Sequence, residues 1–522
     1  MSIQKKLKIL KMNSFQSFLV KKKIKKWVSA ISPFILIFVF IFINSCQLNN
    51  ETEAPNLLFV FSDQQTYDML GCYGNEQIKS PNIDKFAEEG LLFNHCFSNS
   101  PTCTPYRGML MSGKHALHNG CFTNDRPLIP GHGKKFAEVL RDAGYYTGYV
   151  GKWHLLGGDR NRPIPEGPLR YGFDEMFYTN NCHVDFRPGK CFYWNEEGEK
   201  VYFDEWEVYG QTNQALDFLD SRKDKDEPFA LFVSWHPPHA WGKFKGEDGK
   251  MHYRYDTMDE FMNLYDRDKI QVRPGMENTP DLRRMYHGHM AMVSGVDKAF
   301  GWLLDKLEEI GADENTLVIF TSDHGDMLEF SGASFPKQYP HDYSLRVPFI
   351  MRYPGKTEPG EKTDLLFSAL DIMPTTLGLM ELPVPEEVQG KDLSESILSG
   401  DEDAVKYVPI WSFYDESFKG VITKDWTFST TRFGLPAGMD DDDSPLHCVL
   451  FDRKNDPYQL NNLIQSPEQQ TVRDSLWRLT EEWMELYEDK GYTGKDLWNI
   501  MTREEWDQNY EELPINFLTK RN

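Results

Sequence analysis

Four runs of apolar residues, each ending abruptly in polar side chains of unusual type, restrict what this chain can fold into. Leu57-Leu58-Phe59-Val60-Phe61-Ser62 is followed by Asp63-Gln64, and Tyr145-Tyr146-Thr147-Gly148-Tyr149-Val150 runs into Gly151-Lys152-Trp153-His154. Phe229-Ala230-Leu231-Phe232-Val233-Ser234-Trp235 leads to His236-Pro237-Pro238-His239, and Thr316-Leu317-Val318-Ile319-Phe320-Thr321-Ser322 precedes Asp323-His324-Gly325-Asp326. Strands this continuously apolar are buried on both faces, the condition of parallel strands covered by helices. Between the last two runs, Met292, Val293, Val296, Phe300, Leu303, Leu304 and Leu307 recur at three-four spacing and stop at Gly311, which predicts a packing helix. The alternation of strands and helices predicts an α/β sheet with helices on both faces. Ligands of open α/β sheets bind beyond the carboxyl ends of the strands. All four polar clusters are therefore expected on one edge.

At 522 residues the chain can bury a large core and divide into two structural units. The α/β pattern occupies residues 55–400. Beyond it the texture changes to short β-like pieces, Gly420-Val421-Ile422 and His447-Cys448-Val449-Leu450-Phe451, and then to a helix rich in Trp477, Leu479, Trp483, Met484 and Leu486. Residues 401–522 are expected to form a smaller α+β subdomain with an antiparallel sheet, packed on the first unit. The acidic run from Asp440 to Asp443 reads as a solvated loop and not as a calcium site.

The amino terminus is of another kind. Residues 1–45 carry nine lysines and no carboxylate, and Phe34 to Ile43 is an unbroken apolar run followed by Asn44-Ser45-Cys46. A basic stretch, a short apolar run and a small residue before the break make a signal peptide. Ile43-Asn44-Ser45-Cys46 resembles a bacterial lipobox, which implies lipid on Cys46, a polar tether over 46–54, and an exported, membrane-anchored lipoprotein in the periplasm or at the cell surface. Asn44 departs from the usual small residue, and Met12 is an alternative start. A single membrane anchor is the competing reading, although a spanning helix needs about 20 apolar residues. Of the eight cysteines, six besides Cys46 and Cys103 remain, and an exported protein is expected to pair some of them.

Cys103-Thr104-Pro105-Tyr106-Arg107-Gly108 is the most specific short motif. Pro105 suits the first turn of a helix, where its missing N–H costs nothing, and an anionic group would meet free N–H groups at that end. The cysteine, the proline two residues on and the arginine two beyond resemble the signature of the sulfatases, and Gly151-Lys152-Trp153-His154 resembles that family's second signature. The resemblance covers nearly the whole exported chain. It implies an alkaline-phosphatase-like sandwich built on a large mixed, mostly parallel sheet, and the oxidation of Cys103 to formylglycine by a dedicated maturation enzyme. The aldehyde acts as its hydrate: one hydroxyl attacks sulfur, the other loses its proton, and sulfate leaves as the aldehyde is restored. A serine would instead be left carrying a stable sulfate ester.

The resemblance also implies the roles of individual residues. Asp63, Gln64, Asp323, His324 and the modified residue 103 would hold a divalent cation, calcium by preference for hard oxygen ligands and magnesium as the alternative. Two departures bear on this site, since the family often has aspartate where Gln64 stands and asparagine where His324 stands. Arg107 would hold the diol and the ligand carboxylates by paired hydrogen bonds that lysine could not reproduce. Lys152 would bind a sulfate oxygen, and His154 would take the proton that triggers sulfate release. His239, preferred over His236 by its distance from the strand, would contact sulfate and protonate the leaving oxygen. Lys337, nine residues before Arg346 of Arg346-Val347-Pro348, matches the position of a sulfate-binding lysine. Tyr106 departs from the commoner serine or alanine.

Charge narrows the substrate. Without residues 1–45 the chain has 48 basic and 80 acidic side chains, a net charge of about −32. Such a surface repels nucleic acid and polyanions. The expected activity is therefore hydrolysis of sulfate esters on short or terminal carbohydrate, of algal or host origin, in a local cationic pocket. The aromatic and polar insertion around Asn180–Phe203 would shape that pocket. A phosphonate or phosphate monoester hydrolase of the same superfamily is the alternative enzyme, and a catalytically dead glycan-binding lipoprotein the alternative of another class.

Overall fold

The computed structural model describes residues 54–500 other than 132, 159, 196, 415–416 and 432–445. The expected leader, Cys46, residues 46–53 of the tether and the run Asp440–Asp443 lie outside the described residues. Among the described residues, no helix is long and apolar enough to cross a membrane.

Ten strands form one sheet: β1 (Asn56–Asp63), β2 (Leu91–Phe93), β3 (Tyr146–Lys152), β4 (Met176–Asn180), β5 (Phe192–Trp194), β6 (Lys200–Tyr202), β7 (Phe229–Pro238), β8 (Thr316–Ser322), β9 (Phe349–Arg352) and β10 (Glu361–Thr363). Their order across the sheet is β10-β2-β9-β8-β1-β7-β3-β4-β5-β6. The five central strands, β8 to β4, run parallel, as their continuous burial predicts. Antiparallel joins at β9, β5 and β6 make the sheet mixed toward its edges. Successive side chains of β1 point to opposite faces, so Leu57, Phe59 and Phe61 enter one core while Leu58 and Val60 enter the other. At about 1.5–3 kcal/mol for each fully buried side chain of this size, both faces bind the strand into the middle of the molecule.

Register brings the polar clusters to one edge. Ser62 lies opposite Ser322, Gly151 opposite Ser234, and Lys152 opposite Asn180. Gly151 is required here: its φ is 105°, and a Cβ would stand 2.1 Å from the carbonyl oxygen of Ser234. Only glycine lets β3 approach β7 this closely and turn Lys152 into the edge.

Four helices matter for the site and its support: α1 (Cys103–Ser112), α2 (Glu207–Arg222), α3 (Pro280–Glu309) and α4 (Ala369–Leu379). The helix expected from the stripe at Met292 begins earlier, because Thr279 accepts a hydrogen bond from the N–H of Leu282 and Pro280 occupies the first turn. Its early turns include Arg283, Arg284 and His287, which hide the apolar period there.

The carboxyl-terminal part holds a four-stranded antiparallel sheet of β11 (Val408–Ser412), β12 (Phe418–Ile422), β13 (Trp426–Thr430) and β14 (Val449–Asp452), covered by α5 (Gln470–Leu486). Trp483 of α5 donates its indole N–H to the carbonyl of Gly420 (3.0 Å). Its apolar residues share one core with those of β1 and α1. All seven cysteines of the described residues are free, so the expected pairing is not found among them.

Inside this region Lys419 is fully buried and its ammonium bonds the Asp489 carboxylate. Burial pulls the lysine down to about 8, and Asp489 opposes that fall. Asp489→Ala would remove the carboxylate that balances a buried cation. It is expected to cost about 3–5 kcal/mol of unfolding free energy, read as a lowered denaturant midpoint. A loss below about 1 kcal/mol, the size of an exposed pair, would contradict this.

Candidate active site

The strand ends meet around the first residue of α1. Thr102, extended at φ −156°, precedes the helix and places Cys103 in its first turn, fully buried. β1 delivers Asp63 and Gln64, β8 delivers Asp323 and His324, β3 delivers Lys152 and then His154, and β7 leads to His239. The Cys103 sulfur stands in for the hydroxyl oxygens of the formylglycine hydrate that the motif implies. His324 Nε2 lies 3.3 Å from it, Asp63 Oδ1 3.6 Å, and Lys337 donates from its ammonium at 3.1 Å. Lys337 also stands 3.2 Å from His239 Nε2 and 3.3 Å from His324 Nε2. His239 Nδ1 lies 2.6 Å from the carbonyl of Ala240, which holds the ring proton on that nitrogen and turns Nε2 to Lys337. His236 sits instead against Glu207 of α2 (3.1 Å), and it is His239 that faces Lys337.

One atom from each of Asp63, Cys103, Asp323 and His324 falls within 4.8 Å of the others. His324 Nε2 is 3.5 Å from both Asp63 Oδ1 and Asp323 Oδ1. Gln64 completes the group in a particular way. Its φ is 66°, a conformation that an L side chain adopts only when its surroundings hold it there. Its N–H donates to Asp323 Oδ1 (3.1 Å) and its side-chain amide donates to Asp326 Oδ2 (2.7 Å). That bond fixes which end of the amide is oxygen, and Gln64 Oε1 is left buried with no hydrogen-bond partner. A buried orphan carbonyl beside two carboxylates and an imidazole fits a divalent cation, which would accept all four donors.

Two of the cationic groups make contacts beyond those the resemblance implies. Arg107 does not fork symmetrically onto the carboxylates. Its Nη2 reaches both Asp323 Oδ2 (3.2 Å) and Asp63 Oδ2 (3.6 Å), while its Nη1 donates to the carbonyl of Lys152 (2.7 Å) and to Ser234 Oγ (2.8 Å). The guanidinium thus locks β3 to β7 as well as balancing the acids. The Lys152 ammonium is bonded to Asp63 Oδ2. Titration follows from this packing. Burial and Cys103 push Asp63 up, yet Lys152, His239 and Lys337 prevail and hold it at about 2. Asp323 is raised by burial and by Asp63. Burial pushes the Cys103 thiol up, and Lys152, Lys337 and His324 overcome it to bring the thiol well below its usual range.

Three residues join the site that the strand-end reading passes over. Asp125 lies 3.2 Å from His154 Nε2 and takes two bonds from Arg160 (2.8 and 2.9 Å). Cys182, just past the end of β4, is buried near His154; burial opposes its ionisation, but His154 and Lys152 bring it to about 7. For Cys182 the available signal was its place two residues after a strand parallel to β3. Asp125 stands in an irregular segment and carries none.

Comparison with known proteins places this geometry. The family model described as sulfatase matches residues 55–382, and the model of the N-sulphoglucosamine sulphohydrolase carboxyl-terminal region matches 332–486. An ulvan-active sulfatase of Formosa agariphila is 30% identical over 483 residues, covering 89% of either chain. An endo-4-O-sulfatase of Bacteroides thetaiotaomicron is 30% identical over 504 residues, covering 86% of this chain and 96% of that one. A solved structure from work on glycosaminoglycan metabolism by the same species superposes with a TM-score of 0.70 at 27% identity, covering 86% of this chain and 99% of that one.

Proposed function

The chain belongs to the sulfatase family, and from that premise we propose how its residues divide the work and which esters they meet. It is a sulfuric ester hydrolase. The observation that carries the residue assignments is the convergence of Lys337 (3.1 Å) and His324 (3.3 Å) on the Cys103 sulfur. Converted to formylglycine, residue 103 supplies the hydroxyl that attacks sulfur and a second whose deprotonation releases sulfate. Lys337 and Lys152 neutralise the sulfate oxygens. His239, its Nε2 beside the Lys337 ammonium, protonates the leaving oxygen. His154 removes the proton that ends the cycle, and Arg107 keeps Asp63 and Asp323 in place. Asp63, Gln64, Asp323, His324 and residue 103 would hold the cation, calcium first and magnesium second. When bound, it supplies positive charge to a sulfate oxygen and eases ionisation of the attacking hydroxyl.

The ester is on carbohydrate. The names of the relatives, ulvan-active sulfatase, endo-4-O-sulfatase and N-acetylglucosamine-6-O-sulfatase, support this. The net charge of about −32 beyond residue 45 favours short or terminal sulfated sugars, because an extended polyanion pays electrostatic repulsion along its length. Initial rates on an intact sulfated polysaccharide and on its lyase-digested oligosaccharides, at matched sulfate concentration, test this. The digest is expected to react faster. Faster release from the intact polymer would point to an endo-acting groove, as the name of the second relative does for that protein. A screen of defined sulfated oligosaccharides, with formylglycine content verified, then identifies the sugar and the sulfate position.

The amino-terminal pattern supports export as a lipoprotein in the periplasm or at the cell surface. Labelled fatty acid is expected to enter the wild type and not Cys46→Ala. Equal labelling of both proteins would remove the lipobox reading.

A further inference from the structure

We propose that Asp125 is a positioning residue for His154, holding the imidazole so that Nδ1 faces residue 103. The inference rests on His154 being the base of the proposed cycle. His154 is itself in an uncommon backbone conformation (φ 57°) and Asp125 in another (φ 63°). Two such residues in contact at one site are held by their surroundings, and here the surroundings are visible. Asn124 Oδ1 accepts from the N–H of Thr104 in the first turn of α1 (3.0 Å), and the Asn124 N–H donates to the Tyr414 hydroxyl (2.7 Å). The segment is thereby tied to the helix that starts at Cys103 and to the carboxyl-terminal region. The His154 backbone is fixed from both sides: its N–H donates to Asn181 O (2.6 Å), and its carbonyl accepts from Thr104 Oγ1 (3.0 Å).

Within this frame the ring has one way to work. His154 Nε2 meets the Asp125 carboxylate at 3.2 Å, and a carboxylate only accepts, so the proton resides on Nε2. Arg160 forks onto the same carboxylate with Nε to Oδ1 (2.8 Å) and Nη2 to Oδ2 (2.9 Å), fixing its plane. His154 Nδ1, the other ring nitrogen, is buried without a hydrogen-bond partner, and the Cys103 and Cys182 thiols lie close enough to act on the ring. The arrangement leaves Nδ1 to receive a proton from residue 103. A fixed carboxylate behind an imidazole sets tautomer and orientation in the same way in hydrolases of unrelated fold.

The test reads the ring itself as well as the rate. In full-length protein labelled with nitrogen-15 histidine, with His154→Asn to assign the signal, His154 Nε2 is expected at a protonated shift, and Asp125→Ala is expected to move it toward a tautomer average. In the matured enzyme the same substitution is expected to lower kcat on a small aryl sulfate on the order of 10²-fold, the low end of what a positioned base supplies, with KM nearly unchanged. Arg160→Gln, at a half-exposed guanidinium, is expected to act in the same direction by less, and serves if Asp125→Ala fails to fold. An unchanged Nε2 signal, or a kcat within about two-fold of wild type for both variants, overturns the proposal. His154→Ala turning over at the wild-type rate would instead remove the base assignment, while the Nε2 signal still reports whether Asp125 holds the ring.

Discussion

Cys103→Ala is expected to lower turnover on the order of 10⁵-fold or more, the scale on which loss of a lone nucleophile is felt in other hydrolases, while the protein stays folded. The argument is local. The Cys103 side chain is the one group in the first turn of α1 that Lys337 and His324 both address, and alanine offers no oxygen there after any maturation. Every other charged partner keeps an alternative: Lys152 retains Asp63, and Arg107 retains Asp323. The substitution removes one small buried group, so the stability change is expected near 1 kcal/mol. Sulfate release and a denaturation midpoint, measured on the same preparation, check both halves. Substantial turnover by a sequence-verified Cys103→Ala protein would remove the nucleophile assignment. Cys103→Ser separates two ideas further: in a host that matures only cysteine it is expected to be inactive or to retain a sulfate ester on residue 103.

Removing the cation is expected to be the second large effect. Asp63 and Asp323 are buried at the edge of the sheet, with Arg107 reaching both and Lys152 and Lys337 nearby. Without an ion these cations keep the acids from repelling each other, so chelation should leave the fold in place. It should abolish sulfate release, because three cationic side chains held in fixed bonds do not replace a charge shared between the sulfate and the attacking oxygen. Calcium or magnesium should restore the rate. Binding to the folded state alone also predicts a lower melting temperature after chelation, by the equivalent of about 2.7 kcal/mol when the ion was present at 100 times its dissociation constant. Full activity in the chelated protein, or recovery of stoichiometric zinc from the purified enzyme, would contradict a hard-cation site built on Asp63, Gln64, Asp323 and His324.

Much of this arrangement is legible in the chain because strong local signals coincide with it. β1 and β8 are near-continuous apolar runs, so their burial in a parallel sheet, and with it one edge for Asp63 and Asp323, can be read from the chain, whereas their pairing with each other is seen only in the fold. Gly151 is visible as a glycine between an apolar run and Lys152, and the structure supplies its reason in the close approach to Ser234. Other parts leave no such trace. β5 and β6 are three-residue strands at the sheet margin, partly exposed, and read only as an aromatic insertion. Arg107 is expected from the motif, yet its bond to the Lys152 carbonyl depends on where two distant strands pack. Asp125 lies in a turn with neither helical nor strand periodicity, and its contact with His154 is made entirely by tertiary structure.

The central claim is that residue 103, in its modified form, is the nucleophile of a sulfate ester hydrolase. The most direct measurement is the initial rate of inorganic sulfate release across preparations that differ in the fraction of residue 103 carried as formylglycine, with that fraction determined by peptide mass. The rate is predicted to rise in proportion to the fraction and to extrapolate to zero with unmodified cysteine. A rate independent of the fraction, or full activity in protein carrying only cysteine at position 103, would contradict it.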